Sequence, residues 1–122
     1  MLYLELMRKC SFGERICERA SRLSRGLESI GVHSGDEVVV LCCAGHGEDR
    51  EVALLALEKL GALAVTPLDW TAPALVGRFY LACEEGVRAW QDAGVRGVVV
   101  GEGPGVLWWK ALECRHAAAV PA

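Results

Sequence analysis

The stretch Gly31-Val32-His33-Ser34-Gly35-Asp36-Glu37-Val38-Val39-Val40-Leu41 decides the fold, because it joins the end of a helix to a buried strand. Gly31 can adopt the left-handed conformation that often ends a helix, and Ser34-Gly35-Asp36 is a turn sequence. The segment 37–43 is apolar after its first residue, as is typical of a parallel strand covered on both faces. The stretch therefore predicts a helix–turn–strand unit of an α/β domain.

An amphipathic helix precedes this stretch. Ser11 is a candidate N-cap, and Glu14 stands three residues later, as in a capping box. Apolar residues then recur at spacings of three and four and occupy one helical face, namely Ile16, Ala20, Leu23, Leu27 and Ile30. The pattern predicts a helix over 14–30.

A second helix and a second strand are predicted after the first strand. The helix starts at residue 48 or 49, has an apolar middle, and ends at Gly61. A short strand over 62–66 follows and is stopped by Pro67, which has no backbone N–H for a ladder.

Two more helices and one more strand complete the prediction. A third helix is predicted from 71 to about 90, because apolar residues keep helical spacing at Val76, Phe79, Tyr80, Cys83, Val87 and Trp90. A glycine at 86 weakens this helix. A strand over 95–100 and a helix over 106–118 follow. Alternating helices and strands predict one three-layer α/β domain over 1–122, with a small, mostly parallel sheet and Rossmann-like βαβ units.

Charge and hydropathy exclude several classes of partner. The chain has 122 residues, 13 basic and 16 acidic, and a net charge of -3. Its arginines alternate with glutamates, whereas nucleic-acid binding needs a clustered basic face, so we expect no nucleic-acid partner. No apolar run reaches the roughly 18 residues of a membrane span. The first ten residues place acid before base, unlike a secretory signal, and we therefore expect a cytoplasmic protein without a membrane partner.

The six cysteines are interpreted as reduced core thiols. Cys17 and Cys83 lie within apolar helical patterns, while Cys42 and Cys43 end the first strand. Together with His46, these last two give three clustered metal-ligand candidates, fewer than the roughly four ligands of a structural zinc site. We therefore predict no metal site, although α/β folds place ligands at the carboxyl ends of parallel strands.

The glycine-rich segment 101–105 follows a predicted strand and precedes a predicted helix, the context of a dinucleotide loop. The G-x-G-x-x-G pattern would require glycine where Val106 stands, and Pro104 lacks an N–H that a phosphate could use. We therefore interpret 101–105 as a surface turn and predict no nucleotide cofactor.

Three tryptophans, Trp90, Trp108 and Trp109, are large apolar groups in the last third of the chain. They have two interpretations. Their side chains can complete the core of the domain, or they can form a contact surface for another chain, because aromatic residues are enriched at the centres of interfaces.

Five segments in order resemble a known family: 11–14 (SFGE), 20–27 (ASRLSRGL), 31–41 (GVHSGDEVVVL), 52–62 (VALLALEKLGA) and 64–69 (AVTPLD). They are similar to the opening of acyl-CoA synthetases and of peptide-synthetase adenylation domains, the adenylate-forming or AMP-binding superfamily. The resemblance covers 11–69, more than half of the chain, and 95–100 resembles the next strand more loosely. It implies an N-terminal segment of such a ligase.

The chain also departs from the pattern of that family. The family binds ATP with a loop of the form S-G-T-T-G-x-P-K, and no such run occurs here. The family's ribose-binding Asp and its catalytic Lys would lie beyond Ala122, so no catalytic or cofactor-binding residue is assigned. The resemblance therefore implies a truncated or split portion of a ligase, non-catalytic alone, with a structural or docking role. Its partner would be a second copy, a separate ligase chain or a carrier protein.

Two other functions remain open. A small-molecule binding module would use the loops after the first two strands, with His46, Asp69 and Trp70 as candidate ligand contacts. A thiol enzyme would use Cys42 or Cys43, but the sequence shows no paired base for either. In the family that the sequence resembles, the residues of the acyl pocket lie downstream of the matched segment.

Overall fold

The computed structural model describes the backbone of residues 3–43, 47–71 and 77–118, and the side chains of 13–43, 47–71 and 77–114. Four helices and five strands occur in these ranges. In chain order they are α1 (Tyr3–Ser29), β1 (Glu37–Leu41), α2 (Gly47–Leu60), β2 (Leu63–Val65), β3 (Phe79–Ala82), α3 (Glu84–Ala93), β4 (Val98–Gly101), β5 (Leu107–Trp108) and α4 (Trp109–Ala118).

The strands form one sheet in the order β2-β1-β3-β4-β5, and each described pair of neighbours is parallel. Val39 of β1 lies between Val65 of β2 and Tyr80 of β3. The chain adds β2 on one side of β1 and then β3 on the other, so the strand order reverses at β1. The predicted mostly parallel sheet is confirmed, and its switch point lies between β1 and β3.

Helices cover both faces of the sheet. Side chains of α1, α2 and α4 share one core with Val38 and Val40, whereas Val87 of α3 packs on the other face with Val39 and Leu41. Successive β1 side chains therefore enter opposite cores, which is why the apolar run is continuous. The predicted three-layer α/β architecture is confirmed.

The start of α1 differs from the prediction. The helix begins at Tyr3, so Ser11 lies inside it and the predicted N-cap at Ser11 is wrong. Cys17 is exposed rather than part of the core. The reason is its position one residue after buried Ile16, because successive helical side chains point about 100° apart.

The predicted helix from 71 to about 90 is also wrong, because Phe79–Ala82 form the buried strand β3 and α3 begins only at Glu84. All four residues of β3 are buried between β1 and β4. A short apolar run fits a central strand and a buried helix equally well by spacing alone. Likewise, 107–108 form strand β5, so the last helix begins at Trp109.

A close contact joins α3 to the end of β1. The backbone N–H of Cys83 donates a hydrogen bond to the carbonyl of Leu41 at 3.1 Å. A Cβ on Gly86 would lie only 2.1 Å from that same oxygen. Glycine at 86 thus allows the first turn of α3 to lie directly on β1.

None of the described helices has an apolar stretch long enough, and poor enough in charge, to cross a membrane.

Candidate functional site at the carboxyl ends of the strands

Three side chains meet where β1 and β3 end. The Sγ atoms of Cys43 and Cys83 and a carboxylate oxygen of Glu85 all lie within 4.8 Å of one another. The Cys43 thiol donates a hydrogen bond to Glu85 Oε2 at 2.8 Å, and the Cys83 thiol lies 3.9 Å from the same oxygen. We call these three residues the thiol–carboxylate cluster.

The fold explains this meeting. Cys43 lies two residues beyond β1, Cys83 is the N-cap residue of α3, and Glu85 belongs to the first turn of that helix. Because β1 and β3 are parallel neighbours, their carboxyl ends lie at the same edge of the sheet. The amino-terminal end of a helix also stabilises negative charge. The cluster therefore occupies the switch point, where α/β sheets bind ligands.

Cys42 lies beside the cluster but differs from it chemically. It is buried, and its Sγ is 3.9 Å from the carbonyl oxygen of Leu81. Burial, with a smaller contribution from the nearby Cys83, raises the pKa of Cys42 to about 12. This thiol is therefore protonated at neutral pH and is a poor nucleophile, which argues against a thiol enzyme that uses Cys42.

A small cavity of about 100 Å³ lies next to the cluster, at the carboxyl ends of β3 and β4. Cys83 and Trp109 contribute to its wall, with Arg19, Asp49 and Lys110 supplying charge of both signs. Pockets that enclose a drug-sized ligand measure about 300–1,000 Å³. The cavity therefore suits water or a small group rather than a nucleotide.

Arg19 closes one side of this cavity and holds three helices together. Its guanidinium, on α1, donates to both oxygens of Glu113 on α4, at 2.9 and 3.0 Å, and also to Glu48 and Asp49 on α2. The hydrogen bonds to Glu113 are the largest cause that raises the pKa of Arg19, against the opposing effect of burial. We call these four residues the Arg19 network.

The three tryptophans occupy different environments. Trp109 is buried in the main core, whereas 57% of Trp108 is exposed. Trp90 is half-buried and packs against the smaller core. The indole N–H groups of Trp90 and Trp109 have no hydrogen-bond partner among the described residues. Of the three candidate interface residues, Trp108 presents the most surface.

Asp69 and Trp70, two further candidate site residues, make local hydrogen bonds. Asp69 accepts a hydrogen bond from the Thr71 hydroxyl at 3.0 Å, and the Trp70 indole N–H donates to the carbonyl of Pro67 at 3.2 Å. Neither Asp69 nor Trp70 lines the 100 Å³ cavity. His46 lies outside the described residues. Residues 102–105 are exposed after β4, as expected for a surface turn.

The sequence interpretation did not include Cys83 and Glu85 in this site. The helical spacing over 71–90 predicts that Cys83 lies inside a continuous helix. The available signal was the apolar run 79–82 directly before an acidic pair, which is typical of a strand followed by a helix start.

Comparisons with known proteins support the fold. No family model and no curated protein matches the chain. Among solved structures, an anthranilate CoA ligase in complex with anthranoyl-AMP matches 84% of the chain with a TM-score of 0.68 and 18% identity. A benzoate CoA ligase from Burkholderia xenovorans matches 81% with a TM-score of 0.64 and 19% identity. The N-terminal domain of FACL13 from Mycobacterium tuberculosis matches 89% with a TM-score of 0.64 and 17% identity.

The matched region is a minor part of each of these proteins. The chain spans 22% of the anthranilate and benzoate ligases and 30% of the FACL13 domain. At such low identity the likeness establishes the fold and leaves the activity open. The chain therefore has the fold of an N-terminal segment of the adenylate-forming CoA ligases, as the resemblance of its sequence implied.

Proposed function

We propose that this chain is a non-catalytic structural unit of the adenylate-forming ligase type, which works by docking through its exposed sheet edges. The observation that carries the proposal is the exposure of large apolar side chains on both edge strands. Leu63 on β2 is 56% exposed, and Leu107 and Trp108 on β5 are 41% and 57% exposed. Leu107 and Trp108 are neighbours on the β5 edge, and exposed apolar residues grouped in this way are typical of interaction sites.

The edge position strengthens this argument. An edge strand offers unpaired backbone N–H and C=O groups to another chain. β2 and β5 are the outer strands of the described sheet. The matched part is only 22% of the anthranilate ligase and 30% of the FACL13 domain, so most of each of those chains lies outside it. The partner that fits these edges is therefore the remaining polypeptide of a ligase, the part that lies outside the matched region.

For the chain in isolation we propose a homodimer that covers the β5 edge, because closed twofold dimers are the commonest oligomers.

A reducing, cytoplasmic location is part of the proposal. None of the five cysteines among the described residues forms a disulfide, which is the usual condition of thiols in a reducing compartment.

A non-catalytic role is supported by the sequence. The S-G-T-T-G-x-P-K run that would hold a triphosphate is not found in the 122 residues.

Exchange of pyrophosphate into ATP tests the non-catalytic role. The purified chain, given ATP, Mg²⁺ and a panel of aromatic and fatty acids, should show no exchange above buffer. An active CoA ligase in the same assay serves as the positive control. Exchange that follows the chain through successive purification steps would overturn the proposal.

A further inference from the structure

We propose that Cys43, Cys83 and Glu85 form a binding site for a thiophilic divalent cation, and that Zn²⁺ is the ion that suits them best. Donor atoms around tetrahedral zinc stand roughly 3.3–3.8 Å apart, given Zn–S and Zn–O lengths of about 2.3 and 2.0 Å. In the thiol–carboxylate cluster all donor separations are within 4.8 Å, and the distances from Glu85 Oε2 are 2.8 Å to Cys43 and 3.9 Å to Cys83. Movements of about 1 Å therefore complete the geometry.

The donor types select the metal. Two thiolates and one carboxylate favour borderline-soft zinc, whereas Mg²⁺ and Ca²⁺ prefer oxygen donors only. The three ligands carry negative charge once the thiols lose their protons to the metal. Cys83 and Glu85 lie at the amino-terminal end of α3, whose partial positive charge stabilises such ligands.

The backbone holds the start of α3, which carries Cys83 and Glu85, in place before any ion binds. The hydrogen bond from the Cys83 N–H to the Leu41 carbonyl joins the start of α3 to the end of β1. Close packing at Gly86 fixes the same junction. Ligands on rigid elements lose little freedom on binding, which favours affinity.

The site has the form of an open zinc centre. Open centres use three protein ligands and leave the fourth position to water or to a ligand. Cys83 is buried, Cys43 is half-buried and Glu85 is exposed, so the cluster reaches from the protein interior to the solvent. Ion binding here does not depend on docking, and a monomeric chain should keep it.

Cobalt titration tests the site directly. The chain, kept reduced by a phosphine and cleared of metal with a chelator, is titrated with Co²⁺ and then with Zn²⁺. We expect one Co²⁺ per chain, with thiolate-to-cobalt charge-transfer absorption that Zn²⁺ abolishes. Cys43→Ser and Cys83→Ser should each weaken binding by more than about 100-fold, because loss of an outer-shell partner alone costs about 10- to 100-fold. Glu85→Gln should weaken it about tenfold or more and retain the charge-transfer band.

Matched controls come from the same chain. Cys17→Ser and Cys114→Ser remove exposed thiols outside the cluster, and both should bind like the wild type. Glu84→Gln changes the neighbouring carboxylate, which pairs with Arg88, and should also have no effect. The proposal is overturned if the wild-type chain binds no Co²⁺. It is also overturned if the control variants bind Co²⁺ as weakly as the variants of Cys43 and Cys83.

An alkylation experiment on the wild type needs no variant. Zn²⁺ should protect the half-buried Cys43 from iodoacetamide while the exposed Cys17 and Cys114 continue to react, as read by peptide mass spectrometry. Equal alkylation of Cys43 with and without Zn²⁺ would refute the site even if the serine variants failed to fold.

Discussion

At the residue scale, Gly86 sets how closely α3 approaches β1. In an open helix, Gly→Ala is stabilising by about 1 kcal/mol. At Gly86 the new Cβ would lie 2.1 Å from the Leu41 carbonyl oxygen and 2.7 Å from its Cβ. Overpacking of this kind costs about 1–3 kcal/mol or more, so Gly86→Ala should lower the free energy of unfolding in urea denaturation.

Gly13 is the matched control for this prediction. It also lies in a helix, but a Cβ there would meet nothing within 4 Å. Gly13→Ala should leave stability unchanged or raise it by up to about 1 kcal/mol. Equal effects of the two alanines would contradict the close packing of α3 on β1.

Tyr80 gives a second prediction at this scale. Its side chain is buried in β3, and burial raises the pKa of its phenol. In the unfolded chain tyrosine ionises near pH 10. Above that pH the unfolded state binds fewer protons than the folded state, so stability falls as pH rises.

The change to test is Tyr80→Phe, which should make stability fall less steeply above about pH 10. The same variant should remove the part of the curve above the ordinary tyrosine range when tyrosinate absorbance is followed during an alkaline titration of the folded chain. An identical absorbance curve for wild type and variant, apart from amplitude, would contradict a buried phenol.

At the element scale, the Arg19 network joins α1 to α2 and α4. Glu113 is buried, and Arg19 neutralises it through two hydrogen bonds. Removing one partner of a buried ion pair costs about 3–5 kcal/mol, because the other charge remains unpaired. Arg19→Met should therefore lower the free energy of unfolding by roughly this amount, as measured by chemical denaturation.

Two variants test the reason for that loss. Arg22 lies three residues after Arg19 on α1 and forms a solvent-exposed pair with Glu18 at 3.7 Å, so Arg22→Met should cost less than about 0.5 kcal/mol. Adding Glu113→Leu to Arg19→Met should recover much of the stability, because no unpaired charge then stays buried. A double variant less stable than Arg19→Met would argue against this account.

The helices and strands differ in how far the sequence predicts them. The apolar face of α1 predicts its carboxyl-terminal half correctly. The pattern misses the helix start at Tyr3, because the cap predicted at Ser11 is a local signal only. β3 was missed because its partners, β1 and β4, are distant in sequence. A four-residue apolar segment becomes a strand through those partners and not through its own pattern.

At the scale of the whole molecule, the exposed β5 edge predicts self-association. Trp108→Ser should convert the dimer to a monomer in sedimentation, because Trp108 is the most exposed of the three tryptophans. Leu68→Ser, at an exposed residue after β2, is the matched control and should leave the dimer intact. A wild-type chain that sediments as a monomer at high concentration would contradict the homodimer. A separate ligase chain would then remain the proposed partner for the β5 edge.

The sequence by itself determined the α/β class, the parallel sheet and the likeness to adenylate-forming ligases, because these follow from the apolar run 37–43, the glycine-ended helices and their order. Only the tertiary structure decided that Cys43, Cys83 and Glu85 meet and that Trp109 is buried while Trp108 is exposed. The physical reason is that the periodicity of apolar residues indicates which face of a helix or strand is buried, and does not indicate what that face packs against. The identity of neighbours across a sheet depends on strand order, and the cluster exists only because β3 pairs beside β1.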